Sequence, residues 1–170
     1  VNNQLAKKIS GVQGIWKFVQ VDSNYSVAGH YKGFSIYKKY DQKLNYQQEL
    51  NGFQESSRIL ASNQSGVVWM AHPYRGIYRI DIQLPAMHLQ STRYNGMKGL
   101  PSALGNQLFN LEKQLLFTGE NQIYSYDAVS DSFVYNNEFD RYIGKNASLK
   151  YMHQDAFGNI WFETKFETGY

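Results

Sequence analysis

Apolar and polar residues alternate in short stretches along the whole chain, and a turn closes each stretch. The alternation is clear over residues 16–21, and similar stretches at 33–37 and 76–80 are each opened by a glycine. Runs of roughly four to eight residues with a period of two, bounded by turn residues, predict half-buried β-strands. The pattern therefore predicts an all-β protein whose strands are joined by tight turns.

One unit of turn and strand occurs twice. Residues 63–70 and 155–162 each begin with Asn or Asp, followed by two residues, a glycine and a short strand with a tryptophan. Trp69 and Trp161 lie two units of about 46 residues apart, within the roughly 40–50 residues of a β-propeller blade. This repetition predicts blades, and we expect both tryptophans to pack between neighbouring blades.

A second anchor supports the same period. Gly33 and Gly76 each open the third strand of a unit, and Asn121 is expected to stand at the equivalent position of the next unit. Asparagine tolerates a positive φ better than most residues, so it is a sensible replacement for glycine at that position.

Together these anchors predict a β-propeller fragment of about three and a half four-stranded blades. The blades are expected over residues 15–50, 53–97, 100–140 and 145–170, with the last one truncated. An ordinary β-sandwich is the alternative, because it also produces short strands with turns every roughly 8–12 residues. Since such a fragment cannot close a ring, we expect it to belong to a larger propeller, or else two copies to complete one ring.

Composition excludes several classes of protein. The 170 residues contain no cysteine, which removes disulfides, thiol nucleophiles and cysteine-bound zinc. The net charge of +3 is spread along the chain without a dense basic run, so we expect no nucleic-acid surface. No apolar run approaches the ~18 residues of a membrane span. We expect no signal peptide in this segment, and we expect its first residues to be an internal cut.

Candidate binding residues fall in the loops between second and third strands and in the connections between blades, because loops on a rigid scaffold usually carry binding residues. Two of these loops combine a histidine, a tyrosine and a cation beside a glycine. Such rings stack on a sugar, and arginine offers a planar fork to a carboxylate or sulfate. The predicted ligand-binding residues are His30, Tyr31, Lys32, Arg58, His72, Tyr74 and Arg75.

Each of these assignments has an alternative. The two histidine loops are repeated, so they are also explained as braces that hold each turn and reach the neighbouring blade. Arg58 opens an inner strand, where it would face the axial channel and hold an anionic ligand, or pair with an acid such as Glu55.

Catalytic motifs are missing from the sequence. It contains no Gly-x-Ser-x-Gly elbow, no His-Glu-x-x-His and no Gly-x-Gly-x-x-Gly. The two Asx-Gly turns lack the further carboxylates that a calcium loop requires. We therefore expect that this segment is not an enzyme and has no catalytic residue. We also expect it to bind neither a metal nor a cofactor.

The repeat also resembles a known family. Residues 155–161 are similar to the repeat of the two-component regulator propeller family, which comprises periplasmic sensor propellers of membrane-spanning bacterial regulators, frequent in Bacteroidetes. Residues 69–79 and 29–33 resemble the branch that carries a triple-tyrosine Ig-like domain after the propeller, and residues 99–102 fit that branch as well. The third unit departs from the pattern, because Phe117 replaces the tryptophan.

The resemblance implies the periplasmic sensor part of an inner-membrane regulator, with a histidine kinase or a helix-turn-helix output elsewhere. It implies a glycan or other small ligand as the partner, and a homodimer formed through the parent protein. Contact with the membrane would come only through parts outside this segment. Two alternatives stay open, a propeller that scaffolds protein binding without a small ligand and, after it, a propeller lyase.

Overall fold

The computed structural model describes residues 8–84, 86–112 and 114–170. These residues form β-strands through most of their length, so the prediction of an all-β protein is confirmed. The strands make four antiparallel sheets, numbered here sheet 1 to sheet 4 in chain order. Each sheet is a meander in which consecutive strands are hydrogen-bonded neighbours.

The first two sheets have four strands each. Sheet 1 consists of β1 (Lys17–Gln20), β2 (Tyr25–His30), β3 (Gly33–Tyr40) and β4 (Lys43–Leu50). Sheet 2 consists of β5 (Ile59–Gln64), β6 (Val67–His72), β7 (Gly76–Gln83) and β8 (His88–Tyr94). The three alternating stretches of the sequence therefore form β1, β3 and β7.

Sheet 3 has four strands, and sheet 4 has three among the described residues. Sheet 3 consists of β9 (Leu108–Leu111), β10 (Gln114–Gly119), β11 (Gln122–Asp127) and β12 (Ser132–Tyr135). Sheet 4 consists of β13 (Leu149–Gln154), β14 (Ile160–Thr164) and β15 (Thr168–Gly169). A single turn of helix, α1 (Asp140–Ile143), lies between them, and no helix in the described part of the chain is long and apolar enough to cross a membrane.

Side-chain hydrogen bonds explain why the chain reverses where it does. Asp22 Oδ1 accepts two backbone N–H groups of the β1–β2 turn, both at 2.7 Å. Asp155 Oδ1 accepts two backbone N–H groups of the β13–β14 turn, both at 2.9 Å. Aspartate is favoured in such turns because its carboxylate satisfies N–H groups that the strand ladder leaves free.

The four sheets stack face to face in chain order. The first strand of each sheet contacts the first strand of the next, β1 with β5, β5 with β9 and β9 with β13. Three apolar cores fill the spaces between successive sheets. This arrangement is propeller-like, since propeller blades also stack around first strands that line an axis, but the described sheets form an open stack.

Strand β6 shows how one strand serves two cores. Val68 and Met70 belong to the core between sheets 1 and 2, whereas Val67, Trp69 and Ala71 belong to the core between sheets 2 and 3. Successive side chains of a strand point to opposite faces, so a sheet covered on both faces needs an apolar residue at every position. Both faces of sheet 2 are therefore interior.

Two glycines mark places where one segment passes close to the backbone of another. A Cβ on Gly76, whose φ is 93°, would lie 2.1 Å from the carbonyl oxygen of Tyr94. A Cβ on Gly33, whose φ is 108°, would lie 2.3 Å from the carbonyl oxygen of Phe53. Only glycine meets both the positive φ and the lack of space.

The third unit differs from the expected register by one residue. Asn121 does have a positive φ, 66°, but it follows Glu120 (φ 46°) within the β10–β11 turn. Gln122 pairs with the last residue of β10, just as Gly33 and Gly76 pair with the last residues of their second strands. The expected equivalence of Asn121 is therefore wrong by one position, because two positive-φ residues close this turn without a glycine.

The outer face of sheet 1 is partly covered by the segment that precedes β1. The Ser10 hydroxyl is hydrogen-bonded to the Tyr37 hydroxyl at 3.1 Å, and Tyr37 is fully buried. A Cβ on Gly14 would overlap the ring of Tyr31, so this segment lies directly against the sheet. The N-terminal segment thus covers part of the outer face of sheet 1.

The outer face of sheet 4 has no such cover within the described residues. Tyr151, Trp161 and Tyr170 lie exposed there, and Trp161 is 44% exposed. Among the described residues no sheet lies beyond sheet 4, so the packing of Trp161 between blades stays a prediction. The same prediction is confirmed for Trp69, which is 4% exposed in the core between sheets 2 and 3.

Candidate functional site

One end of the stack gathers the turns between second and third strands together with the connections between sheets, and we call it the upper rim. The first strand of each sheet begins at this end, and the second strand ends there. The Ser57 N–H donates to the carbonyl of His30 at 3.0 Å, which ties the connection before β5 to the end of β2. The Trp16 N–H donates to the carbonyl of Gly29 at 2.9 Å and fixes the entrance of β1.

The structure places all seven predicted binding residues at the upper rim, in two neighbouring groups. The first group surrounds the β2–β3 turn and the start of β5, and the second is the β6–β7 turn. The first group contains His30, Tyr31, Lys32 and Arg58, and the second contains His72, Tyr74 and Arg75.

The first group is organised around Trp16. The guanidinium of Arg58 lies 4.3 Å from the centroid of the Trp16 ring, and the Tyr31 ring meets the same ring edge-on at 5.2 Å. Trp16 is 41% exposed and Tyr31 is 56% exposed, so both present ring surface to solvent. We call these three residues the Tyr31–Trp16–Arg58 stack, and it joins sheet 1 to the start of sheet 2.

Sequence reasoning identified two members of this stack and missed Trp16. In the sequence Trp16 only begins an alternating stretch, and its exposure is visible only in the structure. The structure also gives Arg58 a different neighbour from the expected acid. Its guanidinium stacks on Trp16, whereas Glu55 pairs with Arg75.

The second group is an ion-paired turn. Arg75 Nη1 donates to Glu55 Oε1 at 2.7 Å, which links the β6–β7 turn to the connection between sheets 1 and 2. Arg93 Nε donates to the carbonyl of Arg75 at 2.8 Å and holds the turn from β8. Tyr74 projects from this turn as an exposed ring. Because Arg75 already has a carboxylate partner, it is less available to an anion than the sequence predicted.

The two histidines have the same structural role. Nδ1 of His30 accepts the N–H of Lys32 at 3.3 Å, and Nδ1 of His72 accepts the N–H of Tyr74 at 3.2 Å. These contacts place the ring proton on Nε2 in both residues. Each histidine therefore braces its turn, as the alternative interpretation of the repeated loops expected.

The two histidines differ in their surroundings. His30 is only 3% exposed, and its Nε2 has no hydrogen-bond partner among the described residues. Burial lowers the pKa of His72, Glu55 partly opposes this, and the cations Arg75 and Arg93 lower it further. Since an ordinary histidine pKa is already about 6.5, His72 is neutral at pH 7.

A cluster that the sequence did not reveal holds sheets 2 and 3 together. Asp131 accepts hydrogen bonds from the hydroxyls of Tyr94 (2.6 Å) and Tyr126 (2.8 Å) and from the ammonium of Lys98. These donors, Lys98 first, hold the pKa of Asp131 well below its usual range. Because all the partners belong to the protein, we assign this cluster to stability rather than to ligand binding.

Candidate metal ligands are sparse in the described part of the chain. No group of three or more His, Asp or Glu side chains converges there in a way that would hold a metal ion. Asp155, in the turn that resembles part of a calcium loop, is occupied by the indole N–H of Trp161 at 2.9 Å and by the side chain of Asn159 at 3.0 Å.

Comparison with known proteins gives matches among solved structures. No protein-family model matches the chain, and no curated protein is significantly similar to it. Two crystal structures of the extracellular domain of BT4673 from B. thetaiotaomicron are similar at 19% sequence identity, and each alignment covers 88% of this chain. BT4673 is described as a hybrid two-component system in the first (TM-score 0.59) and as a one-component system in the second (TM-score 0.57).

The similarity extends over only part of those structures. The chain spans 20% of the length of each extracellular domain that it matches. At this sequence identity the comparison establishes the fold alone and does not assign an activity. The chain thus shares its all-β architecture with a portion of the extracellular domain of BT4673.

Proposed function

We propose that this chain is a segment of an extracytoplasmic β-propeller that works as the sensory, ligand-binding module of a transmembrane regulator. Three observations support the proposal. Four meander sheets stack around their first strands, as blades do. The similarity to extracellular domains of BT4673 covers 88% of the chain. An exposed stack of two aromatic rings and a cation stands at the rim where propellers commonly bind ligands.

The Tyr31–Trp16–Arg58 stack is the observation that carries the ligand-binding part. Its rings are half-exposed, and its guanidinium has no carboxylate ion pair within the described residues. Aromatic surface beside a cation suits a sugar ring, which offers apolar C–H faces and hydroxyl acceptors. A glycan is therefore the ligand class that we propose.

The position of the stack offers a route from binding to signalling. Trp16 directly precedes β1 of sheet 1, and Arg58 directly precedes β5 of sheet 2. A ligand that contacts both side chains therefore favours one arrangement of the two sheets. A ligand shifts a receptor only by binding its states unequally, and a contact across two sheets provides that inequality.

The remaining parts of the proposal concern the parent protein. We place the module in the periplasm as the sensor part of an inner-membrane protein, which forms a homodimer and passes the signal to a kinase or a DNA-binding output. The module itself is proposed to be non-catalytic, without a cofactor and without nucleic-acid binding.

One observation favours a scaffold that binds protein without a small ligand. Both rim histidines brace their own turns and Arg75 pairs with Glu55, so three of the seven predicted residues already have structural partners. The Tyr31–Trp16–Arg58 stack has no such ion pair and presents exposed rings. Variants of this stack therefore distinguish glycan binding from a scaffold function.

A thermal-shift screen against a panel of glycans tests the proposal. A ligand that binds only the folded state at about 100 times its dissociation constant stabilises the protein by about 2.7 kcal/mol. We expect at least one glycan to raise the melting temperature, and Arg58→Ala to abolish that rise.

The matched control is Lys38→Ala. Lys38 also places a cation over an aromatic ring, Tyr25, at 5.8 Å, but at the opposite end of the same sheet. The control should keep the glycan response. If no glycan stabilises the protein and a protein partner is retained in a pull-down, the scaffold function replaces the proposal.

A further inference from the structure

A second feature of the upper rim lies between sheets 3 and 4, away from the Tyr31–Trp16–Arg58 stack. An open cavity of about 700 Å3 is bordered there by three separate segments: the β10–β11 turn, the connection that leads into β13, and the β14–β15 turn. A smaller cavity of about 250 Å3 adjoins it and shares Asn121, Ser148 and Lys150. Together they are large enough for a small sugar, since ligand pockets typically measure roughly 300–1,000 Å3.

The charges around the large cavity are unbalanced. Lys145 lines it from the connection that leads into β13, Lys150 from the start of β13 and Lys165 from the β14–β15 turn, and Glu167 is the one carboxylate in its lining. Within the described residues none of the three lysines forms an ion pair. Three exposed cations around one concave surface attract an anion.

The polar groups between the lysines suit a hydroxylated ligand. Asn121 and Ser148 line both cavities and provide amide and hydroxyl groups. The backbone is firmly placed, because the Lys165 N–H donates to the carbonyl of Ser148 at 3.0 Å and so joins two of the bordering segments. Thr164 Oγ1 accepts two backbone N–H groups of the β14–β15 turn, at 3.2 and 3.1 Å. The turn that presents Lys165 is therefore preformed.

We propose that this cavity binds a sugar that carries a sulfate or carboxylate group, with Lys145, Lys150 and Lys165 holding the anion. Lysine binds such groups as a point charge, and the amide and hydroxyl groups nearby contact the ring hydroxyls. This inference rests on the proposed sensor function and adds that the recognised ligand carries a negative charge. It is separate from the stack on sheet 1, so the two sites succeed or fail independently.

Isothermal titration of the chain with four probes tests this site. The probes are glucose, glucuronic acid, glucose 6-sulfate and inorganic sulfate. We expect glucuronic acid or glucose 6-sulfate to bind, with an affinity that falls as sodium chloride is raised, because salt screens exposed charges. Glucose and inorganic sulfate are expected to bind at least tenfold more weakly, since each lacks one half of the recognised group.

Three variants locate the binding. The triple variant K145A/K150A/K165A should weaken it about tenfold, as expected for three exposed charge contacts. The triple variant K145R/K150R/K165R keeps the charge and should retain binding. The matched control K38A/K39A/K43A removes three exposed lysines from the far strands of sheet 1 and should leave the affinity unchanged. Circular dichroism confirms that each variant is folded.

Three results would overturn the proposal. Absence of binding by both acidic sugars removes the site, and equal binding by the alanine triple variant places it elsewhere. Equal affinity for inorganic sulfate and glucose 6-sulfate would reduce the cavity to a general anion site and contradict its recognition of a sugar. Retention of the Arg58-dependent glycan response in the alanine triple variant would show that the stack functions on its own.

Discussion

Trp69 in sheet 2 and Trp161 in sheet 4 occupy equivalent positions in the repeat but have opposite environments. Trp69 lies 5.0 Å from Phe117 and 4.6 Å from Tyr126, ring centroid to ring centroid, and both partners belong to the next sheet. Trp161 contacts Tyr170 at 4.8 Å within its own sheet, and it faces outward. The comparison shows that the repeat determines where the indole stands in its sheet, whereas the neighbouring sheet determines whether it is buried.

The same contrast applies to the polar partners of the two sheets. At the boundary of sheets 2 and 3, Asp131 accepts hydrogen bonds from three side chains. Tyr94 is the last residue of β8 in sheet 2, and Lys98 lies in the loop after it. In sheet 4, Asp155 satisfies its own turn and the indole of Trp161. One carboxylate connects two sheets, and the other stabilises a single hairpin.

The largest expected effect comes from removing the two indoles. Trp69→Ala should lower the free energy of unfolding by about 3–5 kcal/mol, because it leaves a cavity in a closed core. Trp161→Ala should lower it by about 1 kcal/mol, since the variant loses one stacking contact and one hydrogen bond at the surface. Urea denaturation followed by circular dichroism measures both. Equal losses would contradict the difference between a covered and an open sheet face.

The next effect concerns two glycines with similar φ values but different surroundings. Gly76→Ala is expected to cost about 2–3 kcal/mol, because the new Cβ would meet the Tyr94 carbonyl at 2.1 Å in a strained conformation. Gly158→Ala, with φ 88° and its nearest neighbour at 3.9 Å, should cost about 1 kcal/mol from strain alone. The urea midpoints of the two variants test this order, and a larger loss at Gly158 would reverse it.

Acid should weaken the boundary between sheets 2 and 3 through Asp131. Its folded-state pKa is lowered, so the stability that it contributes is present above the unfolded pKa of about 3.9 and is lost as the pH falls. Asp131→Asn should therefore be less stable than the original protein at pH 7, with a smaller difference at pH 3. Urea midpoints at the two pH values measure this, and a difference that does not shrink would exclude the carboxylate as the cause.

A smaller, local change is expected in sheet 4. The indole of Trp161 and the side chain of Asn159 lower the pKa of Asp155 to about 2. The support that Asp155 gives to its turn is therefore present above about pH 4 and is lost as the pH falls toward 2. The 1H–15N indole signal of Trp161 should shift over this range, and Asp155→Asn should show the shifted signal already at pH 7. An unshifted signal in that variant would contradict the contact.

Features that depend on neighbouring residues were predictable from the sequence. β7 and β14 lie where alternation, turn residues and the repeat predict strands, because period and turn chemistry act over a few residues. The one-residue error at Asn121 arose because a two-residue turn and a strand-opening glycine both need positive φ, and spacing alone does not separate them.

Features that depend on distant contacts were not predictable. The burial of Trp161 requires knowing whether another sheet follows, and the partner of Arg58 depends on which strand entrances adjoin. Lys145 and Lys150 are close in the sequence, whereas Lys165 comes from the β14–β15 turn, and only the fold brings it to the same cavity. The rim was therefore predicted as a region, while the pairing of side chains within it came from the structure.

The three tryptophans provide the most direct test of the proposed sensor module. A 1H–15N spectrum resolves one indole signal each from Trp16 at the upper rim, Trp69 in a closed core and Trp161 on the open face. Titration with a panel of neutral and acidic glycans should shift the Trp16 signal in a saturable way and leave the other two unchanged. If no glycan moves the Trp16 signal, or if Trp161 responds equally, the ligand-binding rim is contradicted.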